Sequence, residues 1–181
     1  PPHAPRCGGP RFASNRQQSK SMSASPENPW SAPLGRMPSG IFILTVRHGD
    51  LETGMLASWV QQAGFEPPMV TVAVKQGRYV GQWLDAGAAF VLNLIGAGET
   101  RFLKHFGRGF EPDQPAFDGL SIARTANNVP YLTEAAGYLE CQPRQHIDSG
   151  DHRIYLAEVT AGAMLNEQDP MIHVRKSGLR Y

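Results

Sequence analysis

Ser58 and Trp59 sit between two apolar runs, inside the stretch Gly54-Met55-Leu56-Ala57-Ser58-Trp59-Val60-Gln61-Gln62-Ala63-Gly64-Phe65-Glu66-Pro67-Pro68. A hydroxyl, two amides, an indole and small residues that leave the backbone open are what a flat ligand with polar edges needs. The everyday uses of the same residues compete with that reading: a Ser that closes a turn, a Trp that packs into a core. Asn93 interrupts the apolar run 90–95, and a buried amide must be hydrogen-bonded, either to a backbone neighbour or to a ligand. Arg78 follows Gly77 at a strand-to-helix junction. A guanidinium there, with helix N-terminal amides, makes a seat for a phosphate; a solvated surface Arg is the alternative.

Other reactive side chains point to less. The chain has six His, and His48, His105, His146, His152 and His173 are scattered through the region that folds, as surface or satisfied residues usually are. Lys104 and His105 share the polar side of a helix and read as a solvated face. Cys141 lies in an alternating strand and packs as a small hydrophobe. Cys7 and Cys141 have no CxxC spacing, so neither a disulfide framework nor a zinc site follows, and a reducing, cytoplasmic setting is expected. There is no P-loop, no GxGxxG after a strand, no HExxH and no nucleophile elbow.

The elements that must position these groups are mostly strands. The run 41–46 is β-branched and aromatic, and Arg47-His48-Gly49-Asp50 supplies turn chemistry, which predicts a hairpin leading into the stretch 54–68. That stretch reads as a connection ending at a double proline that cannot continue a ladder. Residues 69–74 read as a strand buried on both faces. Tyr79, Val80, Trp83 and Leu84 fall at helical spacing, and 88–95 is a further buried strand. Residues 98–106 form a helix with Phe102, Leu103 and Phe106 on one face, followed by an irregular loop over 107–117. A weak strand at 121–124, two stronger ones at 138–142 and 153–159 joined by the turn residues 148–152, and a last strand at 172–174 complete the pattern. The class is mainly β, a barrel with a few peripheral helices.

Composition narrows the functions. At 181 residues and 41% hydrophobic content, the chain buries one full-sized core. Residues 1–33 are rich in Pro, Ser, Gly, Asn and Gln without apolar periodicity, and read as a tail or linker: either a link within a longer polypeptide or sequence ahead of a natural start at Met22. The formal net charge is +1 with no block of like charge, which argues against nucleic acid and membrane surfaces as partners. No apolar run reaches the roughly 18 to 20 residues that span a bilayer.

Several of these pieces, taken in order, resemble a known family. They are Gly54-Met55-Leu56-Ala57-Ser58-Trp59, Pro67-Pro68, Val70-Thr71-Val72-Ala73-Val74, Arg78, Phe90-Val91-Leu92-Asn93, Lys104-His105-Phe106, Tyr138-Leu139-Glu140-Cys141, Gly150-Asp151-His152 and Arg175-Lys176-Ser177-Gly178. They look like the flavin reductase-like family, and within it like the C-terminal flavin reductase domain of cyanobacterial and chloroplast-type flavodiiron proteins, over residues 34–181. The resemblance implies an FMN-binding split β-barrel of Greek-key type. It also implies a homodimer and hydride transfer from NADH or NADPH to FMN, with FAD the other flavin it admits. It places Leu56, Ala57, Ser58, Trp59 and Gln62 along the flavin ring and ribityl chain, Arg78 at the phosphate, and Asn93 in the F-x-x-N strand of the flavin site. His152 falls on the nicotinamide side as the residue that orients the nucleotide. Gln76 stands where the flavodiiron branch often has Lys, and Gln61 where it often has Ser. Leu56 and Trp59 follow that branch rather than the Thr and Ser of the broader pattern. No metal ligands are expected, since the chain lacks the His, Asp and Glu clustering of a diiron site.

The expected function is thus an NAD(P)H:flavin oxidoreductase module, fused to or serving a flavodiiron oxygen reductase. The same resemblance accommodates the reductase component of a two-component monooxygenase, and a split-barrel module that binds flavin or haem without oxidising nucleotide. Hydride transfer needs no obligatory side-chain acid or base; the protein stacks the two rings, excludes water and stabilises charge on the reduced flavin.

Overall fold

The computed structural model describes residues 28–178. The chain runs through α1 (Ser31–Gly35), β1 (Ser39–Gly40), β2 (Phe42–His48), β3 (Leu51–Ala57), β4 (Val60–Phe65), β5 (Pro68–Lys75), α2 (Tyr79–Asp85), β6 (Phe90–Leu94), α3 (Thr100–Phe106), β7 (Ile122–Arg124), β8 (Pro130–Leu132), β9 (Gly137–Ser149), β10 (His152–Met164) and β11 (Ile172–His173). The 1–33 tail expectation lies outside the described residues up to position 27. From Ser31 the chain is helical, so the helix straddles the boundary expected at Leu34.

Seven strands form one antiparallel sheet in the order β3-β2-β6-β9-β10-β5-β4. Its two edge strands, β3 and β4, are consecutive in the chain and are joined only by Ser58 and Trp59. A sheet whose first and last strands share a two-residue corner has to curl back on itself, and this closes the barrel with its seam at that corner. The stretch 54–68 is therefore not a connection but the end of one edge strand, the corner, and the whole of the other edge. Pro68 opens β5 opposite Phe65, a strand start where a missing N–H is tolerated.

Curvature elsewhere comes from the long hairpin of β9 and β10, 13 residues each. The beginning of β9 pairs with β6, and the beginning of β10 pairs with β5. Register shifts at Leu156/Ala157 and at Val159/Ala161 let one ribbon serve both sides of the barrel, because a bulge bends the strand that carries it. The tips of the β2–β3 and β9–β10 hairpins hold Gly49 (φ 60°) and Gly150 (φ 62°), the left-handed conformation that two-residue hairpin loops require.

The barrel interior is filled by Leu44, Val46, Val72, Val74, Phe90, Leu92, Cys141 and Tyr155, and α2 closes one end with Val80, Trp83 and Leu84. A second cluster, built from Ile41, Ile43, Ile95, Phe102, Phe106 and Leu132, seats α3 against the outer face of β3 and β2. Each such fully buried side chain contributes roughly 1.5–3 kcal/mol relative to an exposed one. The doubly buried strands are thus β2 and β6. By contrast β5 alternates: Val70, Val72 and Val74 face the core while Met69, Thr71 and Ala73 are half-exposed. The continuous apolar run concealed this, because Thr71 and Ala73 are small enough to satisfy either face. Burial holds the Cys141 thiol unreactive, pushed up to about 12 with the neighbouring Glu140 adding to the shift.

Candidate functional site

At the seam the corner residues open onto a cleft of about 520 Å³, within the range of small-molecule sites. Its floor is the outer face of the sheet: Ser58, Gln61, Thr71, Ala73 and Ile154. Strand alternation explains that set. Gln61 pairs with Thr71 and Ile154 with Ala73, so all four share one side of the pleat. The opposite wall comes from both ends of the described chain, Leu34, Met37, Ser39 and Gly40 at one end and Arg175 and Gly178 at the other.

Those two ends are clasped together. The backbone N–H of Arg175 donates to Gly35 O at 2.9 Å and that of Gly178 to Ser31 O at 2.7 Å. The Ser31 and Ser177 hydroxyls are 3.0 Å apart, and β1 pairs with β11 through Ser39 and His173.

Ser58 is buried, yet among the described residues none takes its hydroxyl as a hydrogen-bond partner. The residue is mostly buried, but its hydroxyl, with no protein partner among the described residues, is open at the cleft, where a ligand or a water can meet it. Trp59 is 36% exposed, so it neither caps the core nor stands free. The His152 ring lies 4.7 Å from its ring, centroid to centroid, and the Arg175 guanidinium carbon 5.2 Å from its centroid. Its carbonyl accepts from Ala73 N–H at 3.0 Å, which anchors the corner to β5.

His152 starts β10 opposite Lys75 and is buried to 8% exposure. Its Nδ1 is 2.8 Å from Asp151 Oδ1. The hydrogen bond from His152 holds the Asp151 carboxyl below its ordinary value, so this carboxylate accepts from Nδ1, and Nε2 lies outside the contact. Across the hairpin, Arg153 donates from Nε to Asp148 and from Nη1 to Asp85, and the Asp148 contact drives its carboxyl down in turn.

The other expected ligand residues fall elsewhere. Asn93 is fully buried with its amide spent on protein: Nδ2 donates to Ile43 O at 2.9 Å and to Thr45 Oγ1 at 3.2 Å, and Oδ1 accepts from Leu132 N–H at 2.7 Å. Of the two readings open from the sequence, the backbone-neighbour one holds. Leu56 packs against the α3 cluster and Ala57 against the barrel core, so neither side chain lines the cleft. Gln62 pairs with Val70, one residue out of phase with the floor, and it is Gln61 that faces the cleft. Arg78 caps α2 and lines a smaller cavity of about 140 Å³ with Lys75, Asp85, Arg153 and Tyr155. Since Arg153 pairs with Val74 and Ile154 with Ala73, that cavity lies across the sheet from the cleft. The structure therefore brings together Ser58, Trp59 and His152 but not Arg78, Asn93 or Gln62. Arg175 was the residue that patterning missed; its only sequence signal was its place in the terminal Arg-Lys-Ser-Gly run.

Lys104 is exposed, but His105 is half-buried, its Nε2 2.9 Å from Ala116 O, which ties α3 to the following loop. Among the described residues no helix is long and apolar enough to cross a membrane, and no group of three or more His, Cys, Asp or Glu is placed to hold a metal ion.

A closed antiparallel barrel with a cleft at its seam, a serine and tryptophan at the corner and a histidine from the facing hairpin define the split-barrel class to which flavin reductases belong. The chain belongs to the flavin reductase-like domain family, whose model matches residues 34–179. It is 37% identical over 150 residues to diflavin flavoprotein A 1 of Synechocystis sp., a match covering 82% of this chain and 26% of that protein. It spans about a quarter of the length of that relative. Among solved structures, the NADH:FAD oxidoreductase SgcE6 of Streptomyces globisporus superposes with a TM-score of 0.73 at 27% identity, over 82% of this chain and 87% of that one. The styrene monooxygenase flavin reductase of Pseudomonas putida shares the fold at a TM-score of 0.69 and 24% identity, over 81% of this chain and 93% of that one.

Proposed function

We propose that this domain is an NAD(P)H:flavin oxidoreductase that takes FMN into the seam cleft and receives the nicotinamide from the His152 side. The single observation that carries the reading is the Ser58 hydroxyl, open and unpartnered among the described residues, on the floor of a 520 Å³ cleft beside Trp59, whose ring His152 backs. The donor set fits a flavin. Ala73, Gly40 and Ser58 leave a flat, small-residue surface for a ring system, and the Ser58 hydroxyl, Gln61 amide and Thr71 hydroxyl meet its polar edge.

The bound flavin supplies the two-electron acceptor for the nicotinamide hydride. The protein's own contributions are positional. Trp59 and Ile154 screen the site from water, Ser58 and Gln61 orient the ring edge, and His152, its tautomer set by Asp151, offers Nε2 to the nucleotide. The likeness to diflavin flavoprotein A 1 supports a place as the electron-input module of a flavodiiron oxygen reductase. Exposed apolar side chains around the cleft, Met37 at 63% and Ile172 at 68%, support a homodimer as the working unit.

The test is direct: record the absorbance of flavin retained by the purified protein, then follow NADH and NADPH oxidation with and without added FMN or FAD. Retained flavin and nucleotide oxidation agree with the proposal. Absence of oxidation under every condition reduces the domain to a binding module.

A further inference from the structure

The seam cleft contains one charged side chain among the described residues that line it, and that side chain is Arg175. Every ligand in the proposed reaction is a phosphate ester. The cation anticipated for phosphate, Arg78, is on the other side of the β5–β10 pair, in the cavity with Lys75 and Asp85. A phosphate lodged in the cleft therefore meets Arg175 or no cation from these residues.

Arg175 is also fixed in place at the cleft. Its backbone N–H is tied to Gly35 O at 2.9 Å, two residues after His173 pairs with Ser39. Its guanidinium carbon lies 5.2 Å from the Trp59 ring centroid, which places the planar fork beside the indole. Guanidinium groups bind phosphate through paired charge-assisted hydrogen bonds, and immobilisation before binding lowers the entropic cost.

We infer that Arg175 is the phosphate-binding residue of the seam cleft, delivered by the C-terminal segment and positioned on Trp59 to hold a phosphate of the flavin or of the pyridine nucleotide. The inference rests on the flavin reductase reading of the same cleft.

The experiment compares wild type, Arg175→Met, which keeps the stem against Trp59 without the charge, and Arg175→Lys. Affinities for FMN and riboflavin are titrated by fluorescence, and Michaelis constants are measured for NADH and NADPH. Loss of one charge-assisted phosphate contact predicts a weakening of roughly 10- to 100-fold in Arg175→Met, with Arg175→Lys in between. A drop for FMN but not riboflavin assigns the contact to the flavin phosphate. Equal rises for NADH and NADPH assign it to the pyrophosphate, and a rise for NADPH alone to the 2′-phosphate.

The inference is overturned if Arg175→Met changes none of these, or weakens riboflavin as much as FMN, since the side chain would then act only by propping Trp59. Wild type is read first: if it binds no flavin and oxidises neither nucleotide, the flavin reductase reading itself fails, before any variant is compared.

Discussion

The indole of Trp59 and the imidazole of His152 lie 4.7 Å apart, centroid to centroid, with planes inclined by 44°. One comes from the corner between the two edge strands and the other from the tip of the hairpin that spans the barrel. The contact joins the corner of the cleft to the side proposed for the nucleotide, and on that proposal His152→Ala should be felt there. The expected outcome is a rise in the Michaelis constant for the nucleotide of about tenfold with a much smaller change in kcat, the pattern of lost uniform binding. An unchanged constant removes His152 from nucleotide positioning.

Gln61 and Gln62 are adjacent but face opposite sides of β4. Gln61→Ala should weaken flavin binding by roughly three- to tenfold, the loss of one neutral hydrogen bond, whereas Gln62→Ala should leave it within error. Ser58→Ala should weaken binding by a similar factor without abolishing turnover. Flavin titrations of the three variants decide the matter; the reverse order for the glutamines would mean that the flavin lies on the other face.

Asn93 bridges β2, β6 and the loop strand β8 with three hydrogen bonds. Asn93→Leu orphans the buried Leu132 N–H and the Thr45 hydroxyl contact, and is expected to cost about 2–4 kcal/mol of stability. Denaturant unfolding measures this. Flavin affinity of the fraction that stays folded should be unaltered, which separates a structural Asn from a ligand-binding one.

The pH dependence of stability has two limbs. Asp148 and Asp151 have carboxyls lowered from 3.8 by Arg153 and His152 respectively. Their contribution is present above the ordinary carboxylate value and is lost as pH falls below it. Tyr155 is raised from 10.0 to about 12 by burial and by its hydrogen bond to Asp85. Its contribution is full below pH 10 and is lost as pH climbs toward 12. Cys141, pushed up from 9.0 to about 12, acts in the same sense, so the thermal unfolding midpoint should fall below about pH 4 and again above about pH 9. Tyr155→Phe should shrink the alkaline limb, leaving the part set by Cys141, and keep the acid limb in place; equal alkaline loss in both proteins would remove Tyr155 as a source.

Gly54 lies on β3 where an added Cβ would stand 2.5 Å from Phe106 Cε1. Phe106 is buried among His105, Phe110 and Phe117 and has no room to yield. Gly54→Ala should cost about 1–3 kcal/mol by overpacking, measured by denaturant unfolding; a neutral result would show that α3 can slide on the sheet.

Much of the barrel was legible in local chemistry. Turn residues at Gly49 and Gly150, β-branched runs, and the Tyr79, Val80, Trp83, Leu84 spacing each specified an element that forms. What escaped was long-range. Strand β4 carries two glutamines and small residues and has no apolar alternation, because as an edge strand it owes its existence to pairing with β5. The site divided in the same way. Ser58, Trp59 and His152 converge as their order suggested, whereas Gln61 against Gln62 depends on strand phase, which a bulge between Gln62 and Gly64 obscures. Arg78 is on the wrong side of a sheet for a reason only register reveals, and Arg175 reaches the cleft through a clasp between residues far apart in the chain.

That clasp also fixes where the domain hangs. Ser31 and Gly178 are one hydrogen bond apart, and both belong to segments that wall the cleft. The polypeptide thus enters and leaves the described fold at a single doorway, at the lip of the site. Whatever is tethered at that doorway starts its excursion at the lip of the cleft, so a tether of modest length would hold it near the site at high effective concentration.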